Sequence, residues 1–209
     1  MTYLTQIMLN FATAAVLRLR DSYDWHQAVW KAFPSCDGQQ RDFLTRLDQQ
    51  RDGFRLLIVS PVQPVRPDWC PSDAESWKTK LIPDAYFTRS RYAFQLCANP
   101  TKKVSKKLAD GSLTKNGRRI PLGKRDELVE WIKRKGDQGG FIADEATLRM
   151  FPRGREYFVK NGQSGLHSAV EFQGVLTVTD PVKFHETFTR GVGPAKAFGF
   201  GLLVIAPVG

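Results

Sequence analysis

The stretch YLTQIMLNFATAAVLRLRDSYDWHQAVWKAFP, Tyr3–Pro34, decides how the chain begins to fold, because its apolar residues change period along it. In YLTQIML, Tyr3, Thr5, Ile7 and Leu9 fall on one side and Leu4, Gln6 and Met8 on the other, the two-residue repeat of a strand. In DSYDWHQAVWKAFP, Trp25, Ala28, Val29, Ala32 and Phe33 recur at helical spacing. Asp21 or Ser22 can cap that helix and Pro34 helps to end it. Tyr23, His26 and Trp30 share one flank beside the stripe, which puts His26 on the border between core and solvent.

Working outward, RDFLTRLDQ and FRLLIVSPV read as two strands joined by the turn QQRDG. A helix around Asp73 to Lys80 and a short closing strand would complete a β-α-β-β-α-β unit. RYAFQLCANP opens a second unit of the same kind, followed by a basic loop and the helix KRDELVEWIKRKG, which buries Leu128, Trp131 and Ile132 and which Gly136 is placed to stop. Strands near Gly140 to Met150 and Arg155 to Lys160 come next, then the hairpin loop KNGQSG and the alternating strand HSAVEFQGVLTV. Asp180 before Pro181 marks a helix start, Gly191 its end, and GFGLLVIAP a final strand. The expected fold class is α+β: two tandem ferredoxin-like (RRM-like) domains, 1–88 and 89–209, with no visible sequence repeat between them.

With 42% hydrophobic and 25% charged residues in 209, the composition is that of a globular protein. A formal net charge of +10 makes nucleic acid the leading partner, since such a surface attracts polyanions. Cys36, Cys70 and Cys97 are odd in number and widely spaced, which supports neither a disulfide framework nor a zinc site and fits a reducing cytoplasm. The N-terminal segment lacks a basic start and is interrupted by Gln6 and Asn10, so it reads as part of the fold and not as a signal peptide. No stretch has the length of a transmembrane helix, and no membrane partner is expected.

The run GVGPAKAFGFGLL, Gly191 to Leu203, follows a helix and precedes a strand, the reverse of a dinucleotide fingerprint, and it lacks the G-K-[ST] that would make Lys196 a P-loop lysine. Its glycines still allow backbone N–H groups to approach a phosphate, although a packed connector would look the same. Between Asn99 and Lys135 the basic residues include Lys102, Lys103, Lys106, Lys107, Arg118, Arg119 and Lys135, and they outnumber the acidic ones threefold. That density suits several phosphate contacts, against the alternative of a solvated loop. Arg149, Arg153, Arg155 and Lys160 form a smaller basic group. His167 and His185 have bland explanations at a strand start and within a helix. His26 lies in the first turn or so of its helix, where the positive helix end lowers an imidazole pKa slightly, but position alone favours packing over chemistry. No metal-ligand cluster and no carboxylate pair stand out, and no cofactor is expected. A metal-free route needs an internal nucleophile, which RNA supplies in its 2′-hydroxyl, with histidine able to move a proton at neutral pH.

Taken in order, YLTQIMLN, YDWHQAVWKAFP, RDFLTRL, FQLCANPTKK, FQGVLTVTDP and GVGPAKAFGFGLLVIAP resemble the CasE family of CRISPR repeat-RNA endoribonucleases of type I-E systems across essentially the whole chain. The combination of Y-x-x-H in the first helix, A-N-P-x-K, and the terminal G-[IV]-G-P-x-K-x-x-G-x-G-L-L is what makes the resemblance specific. It implies two ferredoxin-like domains and metal-independent cleavage of repeat RNA at the base of its hairpin, leaving a 2′,3′-cyclic phosphate and a 5′-hydroxyl. It also implies retention of the product with the other subunits of the Cascade complex. The family's catalytic histidine and tyrosine fall on His26 and Tyr23. A lysine often follows the hairpin glycine in the family, whereas Leu166 follows Gly165 here, so Lys160 or His167 would have to stand in. RNA contacts are expected from Lys102, Lys103, Lys106, Lys107, Arg118, Arg119, Arg153, Arg155, Gly191, Gly193 and Lys196. A catalytically silent RNA-binding subunit of the same fold, or a general nucleic-acid chaperone driven by charge, would have a nearly identical sequence.

Overall fold

The computed structural model describes residues 1–34, 41–105, 117–160 and 163–208. It is an α+β fold of two ferredoxin-like units, each built on a four-strand antiparallel core. In the first, β1 (Thr2–Asn10) leads through α1 (Phe11–Val16) and α2 (Ser22–Trp30) to the hairpin of β2 (Leu44–Gln49) and β3 (Gly53–Ser60), and β4 (Trp77–Ile82) closes it. The strand order is β2-β3-β1-β4.

The second unit repeats that order with β5 (Arg91–Ala98), β8 (Phe141–Ala143), β10 (Gln163–Val178) and β11 (Leu203–Pro207), arranged β11-β5-β10-β8. Helices α3 (Arg125–Gly139) and α4 (Pro181–Arg190) supply its crossovers. Two additions stand outside this core. A short two-stranded sheet pairs β6 (Thr101–Val104) with β7 (Arg118–Pro121), and β9 (Arg149–Lys160) runs antiparallel to β10 as a long hairpin.

Burial explains why β3 reads as a continuous apolar run. Leu56 and Ile58 pack with Ile7, Leu9, Trp25 and Val29 beneath the first helices. Leu57 and Val59 point the other way, into the core of the second unit with Tyr92, Leu202 and Leu203. The first sheet is therefore covered on both faces, and its second face joins the two halves.

The structure corrects several sequence expectations. Asp73 to Lys80 is not a helix: the Asp73 carboxylate accepts N–H bonds from Glu75 and Ser76 at 3.0 and 2.8 Å, making a local turn, and Trp77 onward pairs with β1. Thr79 and Thr5 share a hydroxyl hydrogen bond of 2.7 Å across that pairing. Gly136 does not stop α3; a Cβ there would lie 2.3 Å from the Phe141 carbonyl oxygen, so glycine is needed for the strand to pass close. The helix ends instead at Gly140, at φ +74°. Within KNGQSG, strand pairing includes Gln163 opposite Lys160, and the described residues of the basic loop carry strands β6 and β7. Helix α1 adds a turn between β1 and α2 that the strand and helix periodicities do not mark, and Asn10 caps it by accepting from the Thr13 N–H at 2.7 Å. Among the described residues no helix is long and apolar enough to cross a membrane.

Candidate nucleic-acid interface

Helix α2 begins where the Asp21 carboxylate accepts the N–H groups of Tyr23 and Asp24, both at 2.9 Å. This cap fixes the first turn and so the direction of the flank carrying His26. Trp25 and Val29 are buried, while His26 is half-buried between the rings of Trp30 and Phe43 at centroid distances of 6.1 and 6.0 Å. The Trp30 indole N–H donates to His26 Nε2 at 3.2 Å. An indole nitrogen can only donate, so Nε2 is an acceptor and the proton of the neutral ring is on Nδ1.

His26 lines a cleft of about 300 Å³ together with Thr45 of β2, Arg153 and Tyr157 of β9, and Phe198 to Phe200 of the Gly-rich segment. Tyr23 lies one turn earlier on α2, half-buried, and is not part of this wall. Lys160 closes β9, but its side chain lies outside the described residues. His167 sits on β10 behind the cleft: its Nδ1 is 2.9 Å from Asn99 Nδ2, and its ring packs on Phe198 and Phe200 at 4.8 and 5.4 Å. Burial pushes its pKa down.

On the other side of the Gly-rich turn lies a larger groove of about 690 Å³. Lys102, Lys103, Arg119, Arg134, Lys135 and Lys196 line it, with no carboxylate among the described lining residues. Gly191 and Gly193 form part of its floor, both at positive φ; Cβ atoms there would meet Leu44 and Trp131 at 2.9 and 3.0 Å. The glycines are thus demanded by packing as well as by the groove. Lys102 is ion-paired with Glu127 at 2.7 Å at the rim. Lys196 has its pKa lowered by burial, then by the charges of Arg41, Lys135 and Arg190. Its carbonyl accepts from Arg41 Nη1 at 2.7 Å, which pins the turn to the start of β2.

The sequence-derived set therefore divides. Lys102, Lys103, Arg119, Gly191, Gly193 and Lys196 meet in the groove, and Arg153 meets His26 in the cleft. Arg118 and Arg155 are exposed on β7 and β9 and line neither, and Lys106 and Lys107 lie outside the described residues. Sequence reasoning missed Arg41, Arg190 and the role of Trp30 as a donor. It also missed a buried ion network formed by Arg46 and Asp48 of β2 with Glu171 of β10, whose only sequence signal was charge inside otherwise apolar strands.

A family model described as CRISPR associated protein matches residues 2–207. The CRISPR system Cascade subunit CasE of Escherichia coli (strain K12) is 31% identical over 99% of this chain and 100% of its own length. The CRISPR-associated endoribonuclease Cse3 of Thermus thermophilus is 32% identical over 98% of this chain and 100% of its own. A solved structure of CRISPR endoribonuclease Cse3 bound to 19 nt RNA superposes with a TM-score of 0.76 at 30% identity, covering 98% of this chain and 100% of that one.

Proposed function

The chain belongs to the CRISPR-associated protein family, and from that premise we propose that it is a metal-independent endoribonuclease that cuts CRISPR precursor RNA within the repeat, at the base of its hairpin. The observation that carries this reading is the partition made by the Gly-rich turn: an anion-seeking groove on one side and a histidine-bearing cleft on the other. The domains, 1–88 and 89–209, contribute α2 to the cleft and the basic walls to the groove. Groove cations that have no carboxylate beside them, as at Lys196, are relieved of mutual repulsion when phosphates arrive, so the stem of the hairpin docks there. The strand leaving the stem passes the turn and enters the cleft.

Two protons move in the reaction. The RNA 2′-hydroxyl loses one as its oxygen bonds to phosphorus, and the leaving 5′-oxygen gains one as the P–O5′ bond breaks, giving a 2′,3′-cyclic phosphate and a 5′-hydroxyl. His26 transfers one of these, and Tyr23, one turn earlier on the same helix, orients the reacting strand. Lys102, Lys103, Arg119 and Lys196 hold the stem, with Arg118, Arg155, Lys106 and Lys107 adding phosphate contacts around it. Because one relative is named as a Cascade subunit, we place this protein, with its bound product and partner subunits, in such a complex in the cytoplasm.

A second reading, a silent RNA-binding subunit, is favoured by one observation: the Trp30 bond and the Phe43 contact already give His26 a packing role. Single-turnover incubation with repeat RNA separates the two. Cleavage by the wild type, lost in His26→Ala and lost with a 2′-deoxy nucleotide before the cut, supports the enzyme. Tight binding without cleavage supports the silent subunit.

A further inference from the structure

We propose that Arg153 supplies the positive charge that stabilises the phosphate during cleavage, and that buried Glu171 is the positioning residue that holds it there. This rests on the cleavage reading above.

Three observations lead to it. First, the β9–β10 pairing slips at one point: Ala169 faces Gly154 and Val170 faces Pro152, leaving Arg153 as the extra residue of a β-bulge. Gly154 sits at φ +93°, a conformation that glycine permits. A bulge redirects the side chain it carries, and here Arg153 lines the wall it shares with His26. Second, the side chain of Glu171 is 2% exposed, and that of Arg153 is 44% exposed. Glu171 Oε1 accepts from Arg46 Nη2 at 3.0 Å, whereas Oε2 stands 3.6 Å from Arg153 Nη1. The nearer contact fixes the carboxylate. The farther one, too long for a hydrogen bond, orients the Arg153 guanidinium without occupying its donors.

Third, the network is left with positive charge to spare. Arg46 also binds Asp48 at 2.9 Å, and Asp48 binds Arg55 at 2.9 Å, so two carboxylates face three guanidiniums. Arg46 crosses from the first sheet to the second to reach Glu171, which ties the strand carrying Glu171 to the unit that carries α2 and His26. In the reaction, the non-bridging phosphate oxygens gain charge while the O2′–P bond forms and the P–O5′ bond breaks. The Arg153 N–H groups meet that charge in a bidentate fork.

The test uses the full chain and the repeat hairpin. Rates are measured in single turnover at saturating protein, and affinity is measured separately with the 2′-deoxy hairpin. Arg153→Ala is expected to lower the saturating rate on the order of 100-fold while leaving affinity nearly unchanged, and added guanidinium ion is expected to restore part of the rate to it but not to His26→Ala. Glu171→Gln is expected to lower the rate less, and to have no further effect in an Arg153→Ala background. Full rate from Arg153→Ala once saturated, or losses that multiply in the double variant, would overturn the assignment while leaving the cleavage reading intact. Absence of cleavage by the wild type overturns both. Should Glu171→Gln unfold at the assay temperature, the surface change Arg153→Ala and its guanidinium rescue decide the matter.

Discussion

Replacing Arg46 with methionine tests whether the two units are joined by charge as well as by apolar contact. The Arg46, Asp48 and Glu171 side chains are 4%, 10% and 2% exposed, so the ions stand out of water. Burial alone would push the Arg46 pKa down, but the charges of Glu171 and Asp48 and their hydrogen bonds raise it above its usual value. Removing one partner of such a pair costs about 3–5 kcal/mol, because the other charge is left buried. Here Asp48 keeps Arg55 at 2.9 Å and Glu171 keeps Arg153 at 3.6 Å, which places the loss at the lower end, about 3 kcal/mol. For a chain of this size that is a fall in Tm of roughly 6–12 °C. Scanning calorimetry with a urea titration reads it. The double variant Arg46→Met, Glu171→Leu should recover much of the loss, since apolar groups of similar volume replace the pair and Asp48 still has Arg55. A fall below about 2 °C for Arg46→Met, which on the same scale is less than 1 kcal/mol, would show that the network is solvated and refute the reasoning.

Trp30→Phe keeps the ring packing but removes the N–H donor to His26 Nε2; a lost bond of about 1 kcal/mol predicts a several-fold lower single-turnover rate with unchanged RNA affinity. Lys196→Met should raise Tm, by removing repulsion among Lys196, Arg41, Lys135 and Arg190, and should weaken repeat binding with a salt slope shallower by about 1. Because the Lys196 pKa is lowered in the fold, the unfolded chain holds its proton to higher pH, and wild-type stability should rise with pH from that lowered value towards the usual 10.5. At the acid end, burial lowers His167 below its usual 6.5, so the unfolded state takes up the proton first and stability should fall as pH drops below 6.5. Melts of His167→Phe across that window should show a flatter pH dependence.

What could be read from the sequence was local. The Asp21 cap and the Asp180–Pro181 start rest on contacts within a few residues, and the Trp25 and Val29 stripe and the β2–β3 hairpin show themselves as short periodic patterns, whatever they later pack against. The Asp73 segment misled because a carboxylate that caps a turn has the same sequence as one that caps a helix; only the open edge of β1 selects a strand. Gly136 misled for a similar reason, since its small size serves the approach of Phe141 and not a helix end. The site was less legible because it is assembled from distant pieces. Arg41 reaches Lys196 across 155 residues, and Arg46 reaches Glu171 across 125. Charge density did mark Lys102, Lys103 and Arg119, but nothing in their spacing separates them from Arg118, which faces elsewhere.

The central claim is that the RNA supplies its own nucleophile in the His26 cleft, and the ends of the product test it most directly. Repeat hairpin RNA cut by the wild-type protein in excess chelator should carry a 2′,3′-cyclic phosphate on the upstream fragment and a 5′-hydroxyl on the downstream one, as read by mass spectrometry and by kinase labelling without prior phosphatase. A 3′-hydroxyl paired with a 5′-phosphate would mean that water, and not the 2′-oxygen, attacked phosphorus, and would contradict the account.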